Sequence, residues 1–268
     1  MITGCSSGIG YDAAATLHAR GYDVIASCRQ QKDVDRLISE GFNSQLLDLT
    51  SDDSINAFVS ALKQQNKQVY GLINNGAFGV PGAVEDLNRE ALLTQFQTNV
   101  FGTHQLTAAI IPIMRSNNSG RIIQISSILG ALCLRFRGAY NASKYALEAL
   151  SDTMRLELAG TDIKISLVQP GPVETQFRDN ALLMYRRFID IENSVHKIHY
   201  QAVESRLESD EPVRFTLPPS SVTKHIIHAL ESTHPKTRYR VTVPTRIFLP
   251  LKRLLPDKWM DALLLKIG

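Results

Sequence analysis

The residues best suited to chemistry are Tyr140 and Lys144, inside Gly138-Ala139-Tyr140-Asn141-Ala142-Ser143-Lys144. The run that follows to Leu158 is rich in alanine, has no Gly or Pro, and reads as a helix. Four residues apart on that helix, the two side chains face the same way. A phenol with an ordinary pKa of about 10 is a poor acid or base at neutral pH. An ammonium beside it favours the phenolate and draws that pKa down. Bringing it near 7 takes roughly three units, about 4 kcal/mol. That is more than one lysine supplies, so a second positive group is expected nearby. Two helix residues spaced by four by coincidence are the plain alternative, so the rest of the chain must contribute a cofactor loop and a partner hydroxyl.

The chain opens on Met1-Ile2-Thr3-Gly4-Cys5-Ser6-Ser7-Gly8-Ile9-Gly10, a short apolar entry, three glycines, and then an alanine-rich helix to Arg20. Glycines there let backbone N–H groups approach a pyrophosphate at a helix N-terminus, where the dipole favours negative charge. Only Met1 and Ile2 precede the loop, so the first strand is either unusually short or cut at its start. Residues 24–27 read as a second parallel strand. About 20 residues after the glycines, an acid would serve ribose hydroxyls. Cys28 and Arg29 stand there instead. Arg29 can form charge-assisted hydrogen bonds to a 2′-phosphate, where a carboxylate would repel it. A solvated surface arginine is the plainer reading of the same residue.

Residues 46–49 are expected as the third strand. Asp48 there is either an acceptor for an adenine amino group or a cap for the helix starting near Asp52. Residues 69–73 make a fourth strand running into Asn74-Asn75-Gly76-Ala77. A helix carrying Leu92, Leu93 and Phe96 leads into Thr98-Asn99-Val100-Phe101-Gly102 and resumes to Met114. Asn99 inside such an apolar helix is costly unless its amide has buried partners. It either holds a kink and a water or is a satisfied structural amide. Residues 121–125 form the fifth strand and end at Ser126-Ser127, where catalytic groups of parallel sheets gather.

With these parts assembled, the sequence resembles the short-chain dehydrogenase/reductase family. The match runs through Thr3 to Gly10, Asn99, Ser127, Tyr140 with Lys144, and, after a sixth strand at 163–168, Pro170-Gly171-Pro172-Val173-Glu174-Thr175. The stretches Gly4-Cys5-Ser6-Ser7-Gly8 and Ala26-Ser27-Cys28-Arg29 are similar to the hydroxysteroid and retinol dehydrogenase-like branch. The tail from Arg238-Tyr239 through Lys252-Arg253-Leu254-Leu255-Pro256 resembles bacterial NADP-linked aldehyde reductases. The resemblance implies a single α/β domain with a doubly wound parallel sheet. Residues 1–175 would form the dinucleotide-binding and catalytic core, 176–220 a substrate lid, and 221–268 a helix, a strand and a tail. It implies hydride transfer between NADP(H) and a carbonyl carbon, with a lipophilic aldehyde or ketone as substrate. Oxidation of a steroid- or retinoid-like alcohol, or a non-catalytic NADP-binding regulator, are the alternatives.

Within that resemblance Tyr140 is the general acid and Ser127 donates to the carbonyl oxygen. Lys144 lowers the phenol's pKa and binds the nicotinamide ribose, and oxidised nicotinamide is the second positive charge. Asn99 holds a relay water. The implied cofactor contacts are Gly4, Ser6, Ser7, Gly8, Ile9, Gly10, Arg29, Asp48, Asn75, Tyr140, Lys144, Pro170, Gly171, Val173 and Thr175. One departure stands out. The family has Asn-Asn-Ala-Gly where this chain has Asn74-Asn75-Gly76-Ala77. A methyl group at Ala77 is a problem if that position requires φ > 0.

The remaining composition narrows the classes. A net charge of +3 without a basic block is too small to argue for nucleic acid, and no nucleic-acid partner is expected. No apolar run spans a bilayer. Cys5, Cys28 and Cys133, odd in number and unpaired by motif, suggest reduced thiols. With no room for a signal peptide before the glycine loop, they point to a cytoplasmic protein. Cys133 either borders the substrate site or is a small buried hydrophobe. His196-x-x-His199 and His225-x-x-His228 have helical spacing but no companion ligands, so no metal is expected. Phe177, Leu182, Leu183, Met184, Tyr185 and Phe188 either cover a lipophilic substrate or are ordinary helix packing. Arg186-Arg187 either meets an anionic tail or is a solvated pair. The apolar, basic segment 243–268 either packs over the substrate mouth or onto a partner, or lies on a membrane surface. The helices at 103–114 and 143–158 are where the family forms dimers, so a homodimer or homotetramer is expected.

Overall fold

The computed structural model describes residues 1–267. Among them, seven parallel strands lie in one sheet in the order β3-β2-β1-β4-β5-β6-β7. They are β1 (Ile2–Thr3), β2 (Ile25–Cys28), β3 (Asn43–Leu46), β4 (Gly71–Asn74), β5 (Gly120–Ile125), β6 (Ile163–Gln169) and β7 (Arg238–Arg240). The helices between them are α1 (Gly8–Ala19), α2 (Gln31–Ser39), α3 (Asp52–Gln64), α4 (Arg89–Phe96), α5 (Thr103–Ser116), α6 (Gly138–Glu157), α7 (Phe177–Phe188), α8 (Lys197–Glu208) and α9 (Ser220–Glu231). After β7 come α10 (Val243–Leu254) and α11 (Asp257–Leu264).

Successive strand residues point to opposite faces, and in this sheet both faces are apolar, as parallel sheets require. Ile73 and Ile123 join the layer of α1 and α9, with Ala13, Ala14, Leu17, Val222 and Ile226. Their neighbours Leu72 and Ile122 join the layer of α3 and α5, with Phe58, Leu62, Leu106 and Ile110. The strand order reverses at β1, which pairs with β2 on one side and β4 on the other. The crevice at such a reversal is where open α/β sheets bind ligands. Here it lies between the Gly4–Gly10 loop and the Asn74–Ala77 loop.

Expectation and structure differ mainly at the far edge. Residues 46–49 do not form the third strand; Asn43–Leu46 does, in register with Ile25–Cys28. As the edge strand it has no neighbour on its other side, so polar residues are tolerated, and Asn43 and Leu46 are exposed. Leu47 and Leu49 are buried against α3 as loop residues, which explains the apolar run. β2 begins one residue later than expected and β4 two. The helix at 52–64 is capped by Ser51, whose hydroxyl accepts from Ser54 N (3.2 Å), and not by Asp48. No helix among the described residues is long and apolar enough to cross a membrane.

Candidate active site

The loop between β1 and α1 is lashed to the loop after β4. Thr3 Oγ1 accepts from Asn75 N (3.0 Å) and Gly76 N (2.9 Å), and Asn75 Nδ2 donates to Thr3 O and Gly4 O (3.0 Å each). Asn75 therefore holds the glycine loop. Ala77 is not among the residues with positive φ, so its methyl group causes no backbone strain. The concern raised by the altered Asn-Asn-Gly-Ala order falls away on that point. Ser7 stands at the N-cap of α1 with extended backbone and no side-chain capping bond. The first N–H groups of α1 and the Ser7 hydroxyl are left for another acceptor, which suits a phosphate. Gly8 closes on the Pro-Gly motif: a Cβ there would lie 2.8 Å from Thr175 Cγ2. Ser6, whose carbonyl accepts from Arg36 Nη2 (2.7 Å), ties this loop to α2. Nothing in the spacing of the sequence singled out Arg36.

Asn99 sits in a π-helical turn, Gln97–Gly102, between α4 and α5. Such turns are rare and tend to mark functional sites. Its amide is fully engaged: Oδ1 accepts from Phe78 N (3.2 Å), and Nδ2 donates to Phe78 O (2.9 Å) and Ser143 Oγ (3.1 Å). The kink and the structural amide are thus both present. Gln95, one turn earlier and fully buried, holds the same loop through Phe78 O (2.8 Å) and Val80 N (2.7 Å). Sequence reasoning missed Gln95. The signal was there, as a second amide four residues before Asn99.

Ser127 ends the segment after β5, and its Oγ accepts from Leu129 N (3.1 Å). Ile128 N donates to Pro170 O (2.8 Å), so the Pro-Gly motif and the serine loop share a seam. Val173 pairs with Leu217, which pins the motif from the other side. On the first turn of α6, Tyr140 lies half-buried with the Phe177 ring 5.2 Å away, edge-on. Lys144 is buried, and its Nζ donates to Ile125 O (2.8 Å). An ammonium has three donors. Only one has a partner among the described residues, so the buried charge has room for further acceptors such as sugar hydroxyls.

The electrostatics differ from the expectation. Burial pushes the Tyr140 phenol up to about 12, with the Ser127 hydroxyl drawing it back. Lys144 does not lower it here, because its ammonium is turned to a backbone carbonyl, 5.7 Å from the ring centroid. Burial pushes Lys144 itself down to about 8, opposed by the Glu148 carboxylate one turn on. Glu148 is held by Gln169 Nε2 (2.9 Å) and Arg238 Nε (3.1 Å), so β7 anchors the base of this helix.

This arrangement runs in one chain order: glycine loop, π-turn asparagine, serine, tyrosine and lysine, Pro-Gly motif. The profile of the family described as short chain dehydrogenase matches residues 1–185. The chain belongs to the short-chain dehydrogenase family. It is 40% identical to an uncharacterized oxidoreductase, YbbO, of Escherichia coli (strain K12), over 98% of this chain and 93% of that protein. It is 32% identical to the 17-beta-hydroxysteroid dehydrogenase type 6 of Rattus norvegicus, over 98% and 86%. A solved short-chain dehydrogenase from Streptomyces avermitilis matches with a TM-score of 0.80 at 28% identity, covering 94% of this chain and 92% of that one.

Other expected residues of this short-chain dehydrogenase fall as follows. Arg29 is exposed just past the end of β2, with no hydrogen bond recorded among the described residues. Asp48 Oδ1 accepts from Thr50 N (2.9 Å) and Thr50 Oγ1 (2.8 Å), a local turn. Cys133 is exposed, so it is not the small buried hydrophobe expected, while Cys5 and Cys28 are buried. Tyr185 and Phe188 are core residues under α8, packing rather than cover, whereas Phe177 and Leu183 remain exposed. Arg186 and Arg187 are ion-paired, with Glu204 and Glu208 and with Glu90. His196 pairs with Glu85, and His228 Nδ1 lies 2.8 Å from Tyr239 Oη. The tail packs Leu249 and Met260 on Leu132, beside the serine loop.

The Lys144 shift has a measurable consequence. Below about pH 8 the lysine is protonated in both folded and unfolded chains. Between about 8 and 10.5 the unfolded chain binds one proton more, so stability rises with pH through that window. The rise amounts to about 3 kcal/mol. Lys144→Met is expected to remove it, as measured by urea unfolding at stepped pH; parallel wild-type and variant curves would contradict the buried charge.

Proposed function

We propose that this short-chain dehydrogenase reduces lipophilic aldehydes or ketones with NADPH. The observation that carries the reading is the convergence of Ser127, Tyr140 and the buried Lys144 at the C-terminal end of β5. There the ammonium bonded to Ile125 O lies 5.7 Å from the Tyr140 ring centroid, and the Ser127 hydroxyl draws on the phenol. A nicotinamide dinucleotide would supply the hydride. The free helix N-terminus at Ser7 and the two unused donors of Lys144 fit its phosphates and its ribose.

Tyr140, protonated at neutral pH, gives its proton to the substrate oxygen as charge develops there, and Ser127 donates a hydrogen bond to the same oxygen. A positive charge arriving beside the phenol favours the phenolate and offsets part of the burial that holds its pKa near 12. Lys144 binds ribose, Asn99 fixes the 78–80 loop, and Thr175 orients the cofactor through its contact with the glycine loop.

Phe78, Leu182 and Met184, half-buried on the apolar cluster that holds Val80, Ala139 and Tyr185, and the exposed edge of Phe177 beside Tyr140 support an apolar substrate. Residues 176–220 act as the lid. Oxidation of a lipophilic alcohol is the second reading, favoured by relatives named for a hydroxysteroid and for retinol. The unstrained Ala77 speaks against a chain that has lost its chemistry. Leu150 and Leu156, exposed on α6, support assembly into a homodimer or homotetramer.

The test is NADPH consumption with aldehydes and ketones of graded chain length, with NADH as comparison and Arg29→Asp as variant. Wild type should prefer NADPH, and kcat/KM should rise with chain length. Arg29→Asp should lower the NADPH-to-NADH ratio at least about tenfold, the worth of a charge-assisted phosphate contact. An unchanged ratio would remove Arg29 from cofactor choice. Absence of turnover with every carbonyl, beside turnover of an alcohol with NADP, would establish the second reading.

A further inference from the structure

The arginines that the sequence brings to attention, Arg186 and Arg187, are neutralised by carboxylates. Three others around the same mouth are not. Arg137 caps α6, one turn before Tyr140, and pairs through its backbone with Gly82. Its guanidinium reaches only the Phe136 carbonyl (3.4 Å). Arg178 follows Phe177, whose ring lies against Tyr140, and its Nη1 donates to Ser209 O and to Glu211 O (3.0 Å). Arg206 is one turn before Ser209 on α8. It shares a helix face with His199 and Val203, at spacings of four and three, and His199 lies 5.9 Å from the Phe136 ring. All three guanidiniums therefore lie around α8: Arg206 on its last turn, Arg178 on the carbonyls just past its end, and Arg137 beside Phe136, whose ring packs on His199. Their hydrogen bonds go to carbonyls or are absent among the described residues, and none is in a salt bridge.

The charges also act on one another. Burial pushes Arg137 down to about 10, and Arg206 and Arg178 push in the same direction. Arg206, exposed at the surface, is likewise lowered by the partial covering of its guanidinium and then by Arg178. Like charges gathered without a counter-ion are destabilising unless an anion is to be received. Guanidiniums are the side chains whose donor geometry matches carboxylate and phosphate oxygens.

We propose that Arg137, Arg178 and Arg206 form an anion pocket at the substrate mouth, which selects lipophilic carbonyl compounds bearing a carboxylate or phosphate remote from the carbonyl. This rests on the reading of the site as a carbonyl reductase. Phe177 against Tyr140 and Phe136 against α8 offer apolar surface for the chain, and the anion fixes how far it enters.

Two measurements test it separately from that reading. The first compares kcat/KM for an ω-oxo fatty acid and for its methyl ester in wild type, Arg206→Gln and Arg137→Gln. Arg206 is exposed and loses no recorded partner, so its variant should fold. The acid-to-ester ratio should be about ten or more in wild type and fall toward one in either variant. Arg187→Gln removes a paired lid charge and should leave the ratio in place. The second measures calorimetric binding of decanoate, decyl phosphate and decanol to the full chain. Decanoate and decyl phosphate should bind more tightly than decanol, the two anions ranking the natural group, and should weaken in Arg206→Gln. If no carbonyl compound is turned over but the anions bind in this pattern, the reductase reading fails and the pocket stands. Equal binding of decanol and decanoate, or anion binding indifferent to both substitutions, would overturn the pocket.

Discussion

Tyr140→Phe is expected to lower kcat for carbonyl reduction about a thousandfold while leaving NADPH affinity within a few-fold of wild type. The substitution removes one oxygen and retains the ring, so the edge contact with Phe177 at 5.2 Å survives. It does not disturb the Lys144 bond to Ile125 O, since the ammonium makes no hydrogen bond to the phenol. What is lost is the proton donor, whose contribution in positioned acid–base catalysis is about two to four powers of ten. The phenol's pKa, pushed up to about 12 by burial, keeps that proton in place at neutral pH. Single-turnover rates beside cofactor fluorescence titration separate the two effects. Activity within tenfold of wild type would exclude Tyr140 as the acid. A parallel loss of NADPH binding would show instead that the phenol builds the cofactor site.

Gly102→Ala should destabilise the protein by about 3 kcal/mol or more, lowering Tm by roughly 10 °C. Helix propensity alone calls for the opposite sign. Gly102 has helical backbone, φ −65° and ψ −38°. Alanine in a helix is worth about 1 kcal/mol over glycine. The tertiary contact reverses this, because a Cβ on Gly102 would lie 1.8 Å from Leu49 O. That atom is backbone and cannot swing away as a side chain would, so the π-turn and the 47–50 segment must separate. Asn99 lies in the same turn, and its bonds to Phe78 and Ser143 should loosen with it. Gly160→Ala is the comparison: φ is +87° and nothing lies within 4 Å, so only the backbone penalty of about 1 kcal/mol applies. Thermal and urea unfolding of both variants read the difference. A stabilised Gly102→Ala would mean that the turn stands further from Leu49.

Much of the molecule was legible because it is local. The spacing of Tyr140 and Lys144, the glycines opening α1 and the apolar runs of the central strands all depend on residues within a few positions of one another. Turn chemistry and the periods of helix and strand translate such neighbours directly into geometry. The doubly wound order followed, since strands separated by helices leave few other ways to bury both faces of a sheet.

Tertiary structure alone decided the rest. The apolar run at 46–49 looked like a strand until the sheet's edge took Asn43–Leu46 and left Leu47 and Leu49 to be buried from a loop. Lys144 was expected to act on the phenol, but Ile125 O, nineteen residues away in sequence, took its proton donor. Ala77 was judged against a family glycine, yet only its φ decides whether a methyl group matters. Charge is the plainest case. Arg186 and Arg187 stand together in sequence and are neutralised in space, while Arg137, Arg178 and Arg206 are far apart in sequence, lie around α8 and have no salt bridge among the described residues. A side chain's charge is written in the sequence; whether it has a counter-ion depends on which distant elements the fold brings beside it.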